Sequence, residues 1–363
     1  MTKKAIFAVV INGANMTAGM AQYVISIRVS DKAGSSGDTA SIELDDRGGQ
    51  IALPQPGALM AVSLGFAETG VGLVFSGTVD EVRSRGTRGG GMTVIVSAKG
   101  FDTKGKARQP QQRHFDQKTI QEILTEAGKD AGITDVKVDP EFASIKRPYE
   151  RMDDESFVAL GERLASELGG TFKISGTAAV LAKKNGGIAP GGAALAVVTA
   201  QRGLNLQSWD VAPFLGRARF KKVRARFYDA KEAKWKEVEA ETTIEDADAE
   251  FTSRYAEPDE EKAKQKVAND KAESERGAGE GTVVIEGNVM AQPEGLCLIV
   301  GARPGIDGSY RIDSVDHEYS RGGFTTTLSL KQPQGTAGKD SRGGGASGGG
   351  GGDFSLPTDP DLG

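Results

Sequence analysis

Few side chains in this sequence are suited to chemistry. There are two histidines, His114 and His317, and one cysteine, Cys297. A histidine pair can hold a metal or shuttle a proton, but these two lie far apart and neither falls in a His-x-x-Glu-His or similar spacing. Each reads as a core or interface histidine, and His317 suits a structural hydrogen bond. Cys297 sits in an apolar run, Leu296-Cys297-Leu298-Ile299-Val300. No basic neighbour is there to favour the thiolate a nucleophile needs. The acid pairs Asp153/Asp154 and Asp259/Glu260 could suggest glycosidase chemistry, which requires two carboxylates fixed across a cleft. Both pairs stand where acids are expected at helix starts. Gly86 to Gly91, with Arg83, Arg85 and Arg88, could suggest a phosphate cradle. A cradle of that kind leads into a helix, whereas here a strand follows, so the segment reads as a hairpin tip whose arginines could meet a neighbouring subunit. No catalytic, cofactor-binding or metal residue is therefore assigned, and the expectation is a protein that is not an enzyme.

The elements that would position these residues are mostly strands. In residues 1–108, Ala21 to Ser30 alternates, with Tyr23, Ile25, Ile27 and Val29 expected on one face. Ser41 to Asp46 follows and turns at Arg47-Gly48-Gly49. Beyond Pro56-Gly57 come Ala58 to Phe66, Val71 to Val82 and Met92 to Ala98, the last two joined by the glycine-rich hairpin. Strands at this spacing suggest a small barrel or sandwich.

The character changes at Phe101. Ile120, Ile123, Leu124 and Ala127 recur at helical spacing behind a capping box, Thr119-x-x-Glu122, with Gly128 closing the helix. Gly132 to Val138 returns as a strand. A second helix carries the stripe Phe157, Leu160, Leu164 and Leu168, capped by Asp153 or Asp154 and stopped at Gly169-Gly170. Thr171 to Ser175 and Ala179 to Lys183 pair across Gly176. Residues 109–200 thus read as a mixed α/β insertion.

Strands resume in 201–331. Lys222 to Tyr228 and Trp235 to Glu239 form a hairpin, Glu241 to Ile244 continues as a strand, and Glu245 to Glu250 is acidic. A helix near 258–274 opens with Pro258 and first-turn acids. Its apolar stripe, Ala263, Val267 and Ala268, is thin, which places it on a surface. Thr282 to Val289, Leu296 to Val300, Tyr310 to His317 and Phe324 to Leu330 close the fold. Residues 332–363 form a glycine-rich C-terminal tail, GGGASGGGGG at its centre, with Phe354, Leu356 and Pro357 able to anchor it to a neighbour.

Composition agrees with this reading. The 50 glycines suit a turn-rich β protein, and aromatics at 6 % leave the cores to Val, Ile, Leu and Ala. A lone cysteine rules out an intramolecular disulfide and a multi-cysteine zinc site. No signal peptide is evident and no run approaches the roughly 20 apolar residues of a membrane span, so a soluble protein made in a cytoplasm is expected. The formal net charge of −5 argues against stable nucleic-acid binding.

By residues 303–330, RPGIDGSYRIDSVDHEYSRGGFTTTLSL, the chain resembles the closing segment of the phage late control protein D family of tail hub proteins. The matching parts are the Asp307-Gly308 turn, His317, Tyr319-Ser320, Gly322-Gly323 and Thr325 to Thr327. IELDDRGGQIALPQPGALMAVSLGF resembles the family's early strands. FDQKTIQEILTEAGKDAGI with DDESFVALGERLASELGGTFKISGTAAVLAKK resembles its α/β insertion, and VRARFYDAKEAKWKEVEAE its second-barrel hairpin. The resemblance runs from about residue 20 to 331.

It implies two tube-like β-barrel domains flanking the α/β insertion. It also implies a homotrimer of pseudo-sixfold symmetry that joins a sixfold tail tube protein to a threefold central spike protein, leaving a pore for genome or effector. Baseplate wedge and tape measure proteins are further expected partners, and the expected location is the virion tail baseplate, assembled in the host cytoplasm. Residues 109–200 keep a second reading open, a hub-like tail protein that binds or degrades peptidoglycan. A secretion or tailocin-like injection machine would use the same fold.

Overall fold

The computed structural model describes residues 3–32, 34, 37–89, 91–100, 105–184, 195–215, 220–229, 231–243 and 248–339. The change of character at Phe101, the strand end at Ile244, the acidic residues 245–247 and the tail from residue 340, with Phe354, Leu356 and Pro357, lie outside these.

The N-terminal unit comprises β1 (Ala5–Ile11), β2 (Ala14–Asn15), a helical turn α1 (Thr17–Met20), β3 (Val24–Lys32), β4 (Thr39–Asp45), β5 (Leu59–Phe66), β6 (Gly70–Thr87) and β7 (Gly91–Lys99). All its strand pairings are antiparallel, in the order β3-β4-β7-β6-β5-β1-β2. One face of each strand points to a core built on Val9, Ile27, Val29, Ile42, Met60, Val62, Leu64, Val94 and Val96. Fully burying one such aliphatic side chain stabilises by about 1.5–3 kcal/mol. The face expected for β3 is corrected by a bulge. The register shifts between Val24 and Ser26, so Val24, Ile27 and Val29 point inward while Tyr23 is exposed and Ile25 only half-buried.

The α/β unit follows: β8 (Gln111–Thr119), α2 (Ile120–Asp130), β9 (Asp135–Val138), a helical turn α3 (Pro140–Ala143), β10 (Lys146–Glu155), α4 (Phe157–Leu168), β11 (Gly170–Ser175) and β12 (Ala178–Lys183). β8 and β10 pair as a ribbon, and β11-β12-β9 form a three-stranded sheet. The capping box of α2 is present, with both Thr119 and Glu122 engaged. Gly128 does not close that helix. It is buried within it, and the chain turns left-handed at Gly132 (φ 79°), after Asp130. The cap of α4 is also corrected. Ser156, not Asp153 or Asp154, accepts from the Ala159 N–H, because Asp154 bends away at φ 49°. Phe157, Leu160, Leu164 and Leu168 are all buried, and Gly169 caps the C-terminus in the left-handed region.

The last part contains β13 (Val197–Gln201), β14 (Leu206–Ala212), β15 (Phe220–Asp229), β16 (Lys234–Glu241), β17 (Ala249–Thr252), α5 (Glu260–Arg276), β18 (Glu280–Glu286), β19 (Leu296–Val300), β20 (Gly308–Ser320) and β21 (Gly323–Gln334). A second barrel runs β13-β19-β20-β21-β18-β14, and a bridge between Arg202 and Leu206 brings β13 back beside β14. Its core includes Val283, Ile285, Cys297, Ile299, Tyr310, Ile312, Val315 and Leu328.

Two expectations change here. The hairpin β15–β16 does not belong to the second barrel. It forms a separate sheet, β16-β15-β17, whose apolar face meets α5 in a small core of Val223, Ala225, Phe227, Ala263 and Val267. Ala263 and Val267 of the thin stripe thus form a packed face, while Ala268 is exposed. The barrel also reaches past residue 331, since β21 continues to Gln334, Ala337 packs on the core, and the Gly338 N–H donates to the Gly305 carbonyl at 2.9 Å. Polar side chains from Lys331 to Gln334 had hidden this continuation from the hydrophobic pattern.

The two barrels share one sheet. β20 pairs with β19 and β21 in the second barrel and, over Ser314–Ser320, with β3 of the first. Phe7 meets Tyr319 with ring centroids 5.0 Å apart, and Phe66 meets Phe324 at 5.6 Å. These contacts close the first barrel onto the second.

Candidate functional site

The register of the shared sheet separates two kinds of row. On the inner face one row runs Phe324, Tyr319, Ile27, Ile42, Val96, Val82 and the next Thr326, His317, Val29, Ala40, Ala98, Val79. On the outer face the neighbouring rows run Thr325, Glu318, Arg28, Ser41, Ser97, Glu81 and Thr327, Asp316, Ser30, Thr39, Lys99, Thr78. In these four rows the period of two puts the apolar residues on one side and small hydroxyls and charges on the other. One polar wall therefore crosses both barrels without a break. Its charges are partly matched within the wall, as in Arg28 with Glu318 (3.0 Å) and Lys99 with Asp80 (2.8 Å). A shallow groove of about 450 Å³ runs along it past Ser30, Ser41, Ser97 and Asp316.

The candidate chemical residues lie apart. His317 is buried where the barrels meet. The Thr326 hydroxyl accepts from the Asn288 N–H and shares a 2.9 Å hydrogen bond with His317 Nδ1. Burial pushes His317 down to about 4, so the ring is neutral near pH 7 and its role is a buried polar link. His114 lies on the α/β ribbon, exposed, 3.6 Å from Asp116 and stacked on Tyr149 at 6.1 Å. Cys297 points into the second core, where burial pushes its thiol up to about 12 and keeps it protonated. Asp153 pairs with Arg151 at 3.1 Å, and Asp154 accepts from Gln112. Asp259 caps α5 by accepting from the Lys262 N–H, and Glu260 pairs with Lys264 at 2.6 Å. Arg83 pairs with Glu81 on an exposed stretch of β6, whose hairpin with β7 leads strand to strand. Among the described residues, no group of three or more His, Cys, Asp or Glu is placed to hold a metal.

Sequence reasoning missed how the α/β unit is seated. On one side, Lys173 of β11 reaches Asp31 of β3 at 2.6 Å and Asp38 at 2.8 Å. On the other, a polar cleft of about 800 Å³ separates α4 from α5 and the second barrel. Its walls are ion pairs: Arg147–Glu167 at 3.0 Å, Lys266–Asp270 at 2.9 Å and Arg276–Asp313 at 2.7 Å. Asn269 of α5 donates to the Glu167 carbonyl at 2.8 Å, beside the Gly169 cap. A side chain at residue 169 would collide with Asn269. Apart from Lys266–Asp270, one turn apart in α5, these contacts join residues distant in sequence, so no local motif could have announced them.

With this architecture established, comparison with known proteins is direct. Residues 37–323 match the family described as phage tail baseplate hub (GPD). Over 198 residues the chain is 27 % identical to the probable baseplate hub protein of Escherichia phage P2, covering 54 % of this chain and 50 % of that one. It therefore spans about half the length of the curated relative it matches. The 43 kDa tail protein of prophage MuSo2 from Shewanella oneidensis has the same fold, with a TM-score of 0.66 at 15 % identity over 90 % of this chain and 98 % of that one. So does a tail protein from Neisseria meningitidis MC58, with a TM-score of 0.67 at 15 % identity over 93 % and 99 %. The chain belongs to the phage tail baseplate hub family. Proteins of this family are structural components of the virion tail.

Proposed function

We propose that three copies of this chain close into a ring of pseudo-sixfold symmetry that joins the tail tube to the central spike. One chain carrying two similar barrels would turn threefold symmetry into six similar contacts. The polar wall crossing both barrels carries this reading: a surface of Ser, Thr and paired charges, with no apolar stripe, suits the lining of a pore for genome or effector. Asp80, Glu81, Asp316 and Glu318 keep it from being basic, so it would not retain DNA phosphates. Tube, spike, wedge and tape measure proteins are the proposed partners.

Cryo-EM of the native particle, or of the chain co-expressed with its neighbouring tail genes, tests the proposal. A threefold ring at the tube–spike junction with Ser41, Ser97 and Thr327 facing the lumen is the expected outcome. A ring that turns these residues outward, or a chain absent from the junction, overturns it.

A second reading, glycan contact by the α/β unit, draws on one observation. Tyr149 is 58 % exposed and stacks on His114, an aromatic face of the kind sugars lie against. Retention of the full chain on peptidoglycan, lost in Tyr149→Ala, would support it. Equal retention of both proteins would remove it.

A further inference from the structure

The seat of the α/β unit on the first barrel has an unusual construction. In β3, Ile27 and Val29 point into the barrel, and Asp31 continues that inward row at the strand's end. Asp38 holds the corresponding place before Ala40 of β4, and Gly100, just past β7, donates its N–H to the Asp38 carbonyl at 2.7 Å. Two carboxylates therefore stand at the rim of an apolar barrel. From the α/β unit, Phe172 and Ile174 of β11 point into their own core, and Lys173 between them points the other way, toward the rim. Its ammonium sits 2.6 Å from Asp31 and 2.8 Å from Asp38. One backbone bond accompanies it, from the Gly176 N–H to the Gly100 carbonyl at 3.1 Å.

Among the described residues no apolar cluster crosses this seam, because the cores of barrel and α/β unit share no residue. Among the described residues this seam is held by one cation shared between two acids, and one cation cannot neutralise two partly buried carboxylates, whose side chains are 21 % and 17 % exposed. Burial pushes Asp31 up to about 7; Lys173 opposes that rise and the Asp38 charge adds to it. Burial works against the charge on Lys173, but the two aspartates outweigh it and hold it in the ammonium form. Among the described residues, the other ionisable groups on the surrounding elements are engaged elsewhere or face away. Lys99 pairs with Asp80, Asp135 with Lys137, and Asp313 with Arg276 and Lys331. Lys32 and Asp316 lie on the opposite face of their strands.

We propose that this triad is a pH-sensitive latch that holds the α/β unit on the rim of the first barrel while Asp31 carries its proton and loosens as that proton leaves. With Asp31 neutral, Lys173 and Asp38 cancel. With Asp31 ionised, the seam holds a net negative charge that undocking would hydrate. The sign follows from linkage. An acid that keeps its proton more tightly when docked makes docking weaken as pH rises from about 4 to about 7, by at most about tenfold per pH unit, and level off above.

Hydrogen exchange on the full chain between pH 5 and pH 8 tests this, read at the Gly176 amide and divided by its intrinsic rate. In the wild type, protection at Gly176 should fall as pH rises toward 7 and then stay flat. Asp31→Asn should keep high protection across the range. Asp38→Asn provides the second measurement: with its repulsion gone and Lys173 retained, Asp31 should lose its proton at lower pH and the fall should shift downward. A flat wild-type profile overturns the latch. So does the same fall in Asp31→Asn, or an Asp38→Asn profile that superposes on the wild type.

Discussion

The two barrels are joined in one manner and the α/β unit is attached in another. At the barrel junction, backbone pairing between β20 and β3 is covered by apolar rows, and Phe324 of β21 belongs to the core of the first barrel. At the α/β seams the contacts that cross are Lys173 with two aspartates, the Gly176–Gly100 backbone bond and the Asn269 side chain on the Glu167 carbonyl, while the ion pairs lining the cleft each stay on one side of it. Apolar burial with a shared ladder is insensitive to salt and offers no intermediate position. A few ion pairs and hydrogen bonds across a seam, such as those of Lys173, weaken with salt and with pH, and can let go without unfolding either side. The difference teaches that this chain has a rigid two-barrel frame and a third unit held by adjustable contacts.

The contrast can be broken most severely at Phe324. Phe324→Ala should cost about 3–5 kcal/mol and lower both barrels in one transition, measured by chemical denaturation followed at probes in each. Two separate transitions would show that the junction is not cooperative.

His317 sharpens the contrast through pH. Its folded value of about 4 lies below the ordinary 6.5 because the ring is buried. The unfolded chain therefore binds the proton first, and stability is full above about 6.5 and falls as pH drops toward 4. The loss approaches about 3 kcal/mol. Asp31 at the α/β seam runs in the opposite sense over much the same range. Denaturation midpoints of His317→Gln should lose the acid-side slope, while the wild type retains it.

Within the α/β unit, Gly161 of α4 lies against Phe172, and an added Cβ would sit 2.3 Å from that ring. Gly161→Ala should thus destabilise this unit by about 1–3 kcal/mol and leave the barrels protected in hydrogen exchange, despite alanine's better helix propensity. Loss of protection in the barrels would contradict the separation of cores. The smallest effect is expected at the α4 cap, where Ser156→Ala should cost about 1 kcal/mol, confined to the same unit and read the same way. An unchanged Ser156→Ala would mean the cap is replaced by Asp154 after all.

Much of this was legible wherever the signal was local. Alternation in Phe324 to Leu330, the stripe Phe157, Leu160, Leu164, Leu168 and the Thr119/Glu122 box each reported their own element. What escaped depended on partners. The face of Tyr23 and Ile25 was inverted by a bulge that leaves no mark in composition. The hairpin β15–β16 went to the wrong neighbour because Val223, Ala225 and Phe227 would suit a barrel equally well, and the two small residues of α5 that cover them look too thin to cover anything. Lys173 and Asp31 are 142 residues apart and ordinary in each local setting. The polar wall emerged only after registers aligned Ser41 with Ser97 and Asp316 with Ser30.

The pairing of β3 with β20 also bears on how the chain is made. Arg28 and Glu318, neighbours in the finished sheet, are separated by 290 positions. At the usual pace of roughly 5–20 residues per second, a ribosome takes on the order of 15–60 s to travel between them. Throughout that interval the emerging N-terminal half has its strands but an open flank on β3, the kind of edge to which another nascent chain can add. Polysomes crowded with this message would bring such edges together, so expression yield should respond to translation spacing and chaperone supply more than to the strength of the finished cores.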